Sequence, residues 1–148
     1  VAKYFGNESF MAQNMLHVCM PKVFRLSEQY LIRAEARANQ KNYSGASKDL
    51  SDLRRARFQG GNGSISVSAQ NWLEIIEEER VRELYMEGFR LQDLKRWHKG
   101  FERKPQEQSL TNGSSLKIEA DDVRFVWPIP KHELESPGSQ IQPNESNK

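Results

Sequence analysis

Cysteine, net charge and long apolar runs are all scarce in this chain. A lone cysteine, Cys19, in 148 residues excludes an internal disulfide framework and reads as a small buried hydrophobe. Lys and Arg number 22 against 20 Asp and Glu, a formal net charge of +2, so bulk charge implies no nucleic acid or other polyanion as partner. No run of about 18 apolar residues is present to span a bilayer. The first residues lack the charged-then-apolar layout of a signal peptide, and the chain as given is expected to be soluble. Three histidines, His17, His98 and His132, stand far apart and form no H-E-x-x-H or H-x-H pattern, so neither a metal nor another cofactor is expected. There is no G-x-S-x-G elbow for covalent catalysis. Gly60, Gly61 and Gly63 lack the spacing and the strand-to-helix setting of a phosphate-binding loop.

Helical periodicity is what the chain does have. Val23, Leu26, Tyr30, Ala34 and Ala38 recur at gaps of three and four, with Pro21 suited to a first helical turn. A polar break at 39–43 and Ser44 as N-cap open a second helix carrying Ala46, Leu50, Leu53 and Ala56. Tyr30, Ala46, Leu50 and Leu53 sit where a tetratricopeptide-type hairpin places its interlocking residues, although no second copy lies at a 34-residue offset. Residues 59–66 read as a mobile loop. Ser68 then caps a third helix with Trp72, Ile75, Ile76, Leu84 and Tyr85 on its apolar side. Gly88 weakens or bends it, and Arg90, Asp93, Leu94 and Trp97 continue the period to Gly100. Residues 104–115 read as a surface loop. The β-prone piece Arg124 to Trp127 meets Pro128 and Pro130, which lack N–H donors and allow at most an edge strand. The expected fold is mainly α, with tetratricopeptide-like hairpins followed by an irregular, proline-containing C-terminal segment. Length argues for a single domain over 1–148, with an irregular lead-in at 1–20 and a flexible tail at 138–148.

Charges interrupt the buried face of the third helix. Glu79, Arg80 and Glu83 fall within its apolar stripe, and Glu87, Arg90, Asp93 and Arg96 extend the pattern. A desolvated charge needs an opposite partner and further hydrogen bonds, so these seven residues predict a structural ion network. The competing reading makes Glu79 and Glu83 a general acid–base pair, which requires a cleft and divergent pKa values. Trp72, Trp97 and Trp127, with Tyr4, Tyr43 and Phe58, offer rings that could stack on a sugar or anchor a partner. The three tryptophans lie on apolar stripes or before a proline turn, so core packing is expected of them, with Gly88, Pro128 and Pro130 shaping the turns. No residue stands out as a ligand contact.

Three motifs together resemble the C-terminal portion of the SusD/RagB family. Phe24-Arg25-Leu26-Ser27-Glu28-Gln29-Tyr30-Leu31-Ile32-Arg33-Ala34-Glu35-Ala36 is similar to the family's R-L-x-E-x-Y-L-I-R-A-E-A helix. Glu79-Arg80-Val81-Arg82-Glu83-Leu84, Glu87-Gly88-Phe89-Arg90 and Asp93-Leu94-Lys95-Arg96 resemble E-R-x-R-E-L-x-x-E-G-x-R-x-x-D-L-x-R. Trp127-Pro128-Ile129-Pro130 with Glu133-Leu134 resembles W-P-I-P-x-x-E-L. The chain departs from the family's Q-N-P-G-Y-like close, having Gln142-Pro143-Asn144-Glu145 instead. The resemblance implies a glycan- or nutrient-binding lipoprotein, not an enzyme, on the extracellular face of a Bacteroidetes outer membrane. Its partner would be a SusC-like TonB-dependent transporter, its membrane attachment an N-terminal lipid outside this chain, and most glycan contacts would lie upstream. This portion would serve as scaffold and transporter contact. The hairpins alone leave a second reading, an intracellular helical-repeat adaptor for peptide segments.

Overall fold

The structure, a computed structural model, describes residues 23–58, 60, 62–104 and 116–147. The lead-in expected at 1–20, with Tyr4, His17 and Cys19, and the loop residues 105–115 lie outside them. The chain is mainly α. It divides into two compact units, 1–83 and 84–148, where length alone argues for one domain.

In the first unit, helix α1 (Leu26–Asn39) packs against both α2 (Tyr43–Arg57) and α3 (Trp72–Glu83). Its buried face is Ser27, Leu31, Ala34 and Ala38, rotated from the expected stripe: Val23 and Leu26 are 72% and 74% exposed. The reason is local. Arg25 is the N-cap, with extended backbone, so Val23 precedes the helix and its spacing places it on no face. Ala34, Ala38 and Ala46 are buried, and such small side chains let packed helix backbones approach closely.

The α1–α2 turn is a Schellman motif. Asn42 N–H donates to the Arg37 carbonyl at 2.8 Å and Lys41 N–H to that of Ala38 at 2.9 Å, with Lys41 in the left-handed region at φ 62°. Asn42 then caps α2, its side chain accepting from Gly45 N–H at 3.0 Å. Ser44, the expected cap, donates its hydroxyl to Asn42 instead. One asparagine therefore ends one helix and starts the next, which keeps the hairpin tight. The loop expected to be mobile is laced to α2 over its second half. Ile65 N–H donates to Ser51 Oγ at 2.9 Å, Val67 N–H donates to Ser47 Oγ at 2.8 Å, and Val67 is buried.

Helix α3 stops at Glu83 because Met86 and Gly88 adopt φ of 61° and 85°, outside the helical region. The second unit follows, with α4 (Arg90–Arg96), an antiparallel pair β1 (Phe101–Glu102) and β2 (Lys117–Ile118), and a 3-10 turn at Val123–Phe125. A side chain at Gly100 would place its Cβ 2.1 Å from the Ile118 carbonyl oxygen, so only glycine fits beside the strand pair. The expected edge strand at 124–127 is instead this 3-10 turn and an extended exit. Asp122 caps the turn, accepting from Arg124 N–H at 2.9 Å. Helix α5 (Lys131–Leu134) and a final 3-10 turn, Glu145–Asn147, complete the unit. Among the described residues, Leu84, Leu94 and Phe125 are its buried apolar side chains.

Two expectations fail in this unit. Trp127 is 81% exposed, outside the core assigned to it. The 3-10 turn gives the inward position to Phe125, and both Val126 and Trp127 emerge on the surface. The tail, expected to be flexible, is held by side-chain hydrogen bonds to that same segment. Ser146 Oγ donates to the carbonyls of Val123 and Val126 at 2.5 and 2.6 Å, and Asn144 Nδ2 donates to that of Trp127 at 2.8 Å. Asn147 accepts from Ile129 N–H at 3.0 Å and donates to its carbonyl at 2.8 Å. Pro128 and Pro130 have no N–H, so Ile129 offers the one amide donor of the Pro-Ile-Pro stretch, and Asn147 takes it as a neighbouring strand would.

Urea unfolding separates the two roles. Trp127→Ala is expected to change stability by less than about 0.5 kcal/mol, as an exposed site does. Asn147→Ala, which strips both partners from Ile129, is expected to cost about 1–3 kcal/mol. A large loss for Trp127→Ala would place the ring in the core after all.

Candidate functional site

Acidic side chains on the inner faces of α2 and α3 organise the first unit, and each is met by arginine. Asp49 on α2 is 1% exposed. Arg33 on α1 clamps it with Nε at 3.1 Å and Nη2 at 2.7 Å, and Arg37 reaches it at 2.7 Å. Arg33 also lies over the Tyr30 ring, 5.0 Å from its centroid. Sequence reading missed this site, although a signal existed. Asp49 occupies the i+3 place in the series Ala46, Asp49, Leu50, Leu53, inside an apolar stripe, and Arg33 and Arg37 stand one turn apart on the neighbouring helix.

On α3, Glu79 is 5% exposed. It accepts from Arg54 Nη2 at 2.5 Å and from Arg82 one turn on. Glu83 receives Arg25 at 2.7 Å and Arg57 at 2.8 Å on the same oxygen, with Arg57 Nε at 3.0 Å on the other. Arg25 also donates to the Glu83 backbone carbonyl at 2.8 Å. Burial pushes the Glu83 carboxyl up, but hydrogen bonds from Arg57, Arg25 and the nearby Ser27 hydroxyl outweigh it and hold the group at about 2. Arg80, 5% exposed, lies on the same helix.

Glu79 and Glu83 find partners in Arg54 and Arg57 of α2 and in Arg25 at the head of α1, besides Arg82 on their own helix. Asp93, Arg96, Glu87 and Arg90 belong to the second unit, where Arg96 Nε donates to Asp93 at 3.0 Å and Asp93 is 4% exposed. Glu87 is half-buried and Arg90 exposed. Because α3 ends at Glu83, helical period cannot carry one face from residue 79 to residue 96. Gly88 lies in the break, as expected of it. Trp72, Trp97 and Tyr43 are half-buried, and Phe58 is exposed.

A pair of carboxylates doing acid–base work needs pKa values driven apart by their surroundings. Here Glu83 is held ionised well below neutrality, and Glu79 sits between two guanidiniums. Among the described residues, no group of three or more His, Cys, Asp or Glu side chains could hold a metal ion, and no helix is long and apolar enough to cross a membrane. Beside the Glu83 clamp the surface opens into a cleft of about 450 Å³, walled by the first turn of α1 and the last turns of α2.

The arrangement fixes a pH dependence. Glu83 has an ordinary carboxyl value of 4.5 when free and about 2 here, so its stabilisation is complete above that ordinary value and disappears as pH falls toward the lower one. Glu83→Gln is expected to flatten the loss of stability between those limits in acid-unfolding curves, and an unchanged slope would show the carboxylate unclamped. Asp49→Ala is expected to cost about 1–3 kcal/mol, since it removes the buried acceptor that two partly exposed arginines bond; thermal unfolding measures it.

The SusD family model matches residues 16–145, most of the chain, and the chain belongs to that family. Proteins of this family bind nutrients, are not enzymes, and are generally associated with outer membranes, SusC-type transporters and glycans. No curated protein and no solved structure matches the chain.

Proposed function

We propose, taking SusD-family membership as the premise, that this chain is part of a glycan-binding lipoprotein. It would act on the extracellular face of a Bacteroidetes outer membrane beside a SusC-like TonB-dependent transporter. Its two units serve as scaffold and transporter-contact surface. A lipid on the parent protein, outside this chain, supplies the membrane attachment. The observation that carries this reading is the family match over residues 16–145.

The Glu83 clamp supports binding over catalysis, because that carboxylate is held ionised by arginine and is a poor proton carrier at neutral pH. The adaptor reading rests on the helical hairpin alone and gains no further support. The test is affinity purification of the full-length parent protein from detergent-solubilised membranes. It is expected to retain a large β-barrel transporter in stoichiometric amount. Recovery from the cytosol, with peptide partners and no barrel, would overturn the proposal.

A further inference from the structure

The formal net charge of +2 hides a local excess. Residues 95–104, from the end of α4 through β1, hold Lys95, Arg96, Lys99, Arg103 and Lys104 against Glu102 alone, a formal +4 that leaves the remaining chain at −2. In the first unit, Arg33, Arg37, Arg54, Arg55, Arg57 and Arg82 are each met by a carboxylate. The pattern changes here. Lys95, Arg103 and Lys104 are exposed, and among the described residues no carboxylate meets any of the three.

The strand pair sorts the charges by face. Arg103 N–H donates to the Leu116 carbonyl at 2.8 Å, which extends the β1–β2 pairing by one residue. Side chains alternate along a strand, so Phe101 and Arg103 share one face and Glu102 takes the other. The Arg103 guanidinium accordingly lies over the Phe101 ring, 5.2 Å from its centroid. Glu102 stands across from Lys117 in the register, while Lys117 holds Glu119 at 2.6 Å. Glu102 is thereby kept off the face that carries Arg103. Asp93 is engaged by Arg96 at 3.0 Å, and Asp121 pairs with His98 at 2.8 Å.

The aromatic rings narrow the kind of partner. Trp97 and Phe101 are half-buried, and Arg96 lies over Trp97 at 4.4 Å as Arg103 lies over Phe101. Neither ring stands bare, as an anchor inserted into a lipid interface would. A guanidinium held over a ring is already ordered and keeps its N–H fork for an oxyanion.

From these we infer that the surface formed by residues 95–104 docks a sulfated polysaccharide, with Lys95, Arg103 and Lys104 meeting its sulfate groups. Clustered Lys and Arg interleaved with aromatics suit a soluble polyanion. Sulfate stays ionised at every physiological pH, and its oxygens match the arginine fork. This inference rests on the glycan-binding reading above and names a substrate class for it.

Titration calorimetry on the full chain tests it with four probes: a heparin octasaccharide, the same octasaccharide stripped of sulfate but keeping its carboxylates, inorganic sulfate, and vesicles of phosphatidylglycerol and phosphatidylcholine. The sulfated octasaccharide is expected to bind at least about tenfold tighter than the stripped one, with the gap narrowing as salt is raised. Lys95→Gln, Arg103→Gln and Lys104→Gln together are expected to weaken its binding at least about tenfold and to leave the thermal midpoint unchanged. A control combining Lys41→Gln, Lys48→Gln and Lys131→Gln removes the same charge from other exposed positions and is expected to keep the affinity.

Equal affinity for the sulfated and stripped forms, or equal behaviour of the two triple variants, overturns the docking surface. Inorganic sulfate binding as tightly as the octasaccharide would reduce it to an anion site and overturn the polysaccharide assignment. Binding to the vesicles without binding to the octasaccharide would make it a membrane contact and overturn it too. No binding of any probe also overturns it, even if the transporter co-purifies; loss of the transporter instead strikes at the function proposed above.

Discussion

The first unit depends on one constraint: a carboxylate turned toward a helix interface cannot stay there without a guanidinium. Asp49, Glu79 and Glu83 all sit on inner helix faces, and all are met by arginine. Arginine's planar fork makes two parallel bonds to one carboxylate and sheds less hydration than an ammonium group, so it can follow a carboxylate into a half-buried interface. The distribution of these pairs matters as much as their chemistry. Asp49 ties α2 to α1, Glu79 ties α3 to α2, and Glu83 ties α3 to both α2 and the head of α1. Three helices are thereby cross-braced, while the apolar core beneath them, Leu31, Leu50, Leu53 and Ile76 with three alanines, remains small. Burial supplies the adhesive free energy, and the ion pairs restrict which helix faces can meet.

Much of this was legible in the sequence. The helices and the break at Gly88 follow from period and glycine. That Glu79 and Glu83 need partners follows from their place in an apolar stripe. Who those partners are does not follow, because Arg25, Arg54 and Arg57 lie up to 58 residues away and helical period carries no information across a turn. Asp49 stayed hidden for a related reason. A single acidic residue in a stripe looks like an edge position until a facing helix supplies two arginines. The rotated face of α1 was missed because Val23 fits the spacing while lying before the helix starts.

The C-terminal segment failed differently. Trp127 looked like core because tryptophan is mostly apolar surface, yet a short 3-10 turn decides which side chain points inward, and it chose Phe125. The tail looked free because its residues are polar. Polar side chains are the means by which it is held: Asn144, Ser146 and Asn147 bond backbone groups that two prolines leave without ladder partners. Composition marks such a segment as irregular without revealing whether it is anchored.

That amide pairing has a wider consequence. An extended stretch at the surface is a template on which another chain can add a strand, and sheet proteins guard such edges at some cost. Here the stretch from Val126 to Pro130 carries exposed apolar rings and methyls, the usual mark of a sticky edge. The prolines strip two of its donors, the Val123 carbonyl takes the Val126 amide, and Asn147 closes that of Ile129 with a side chain of the same molecule. The segment can therefore show hydrophobic surface while offering few backbone groups for annealing, a guard against fibre-like self-association wherever many copies are crowded side by side.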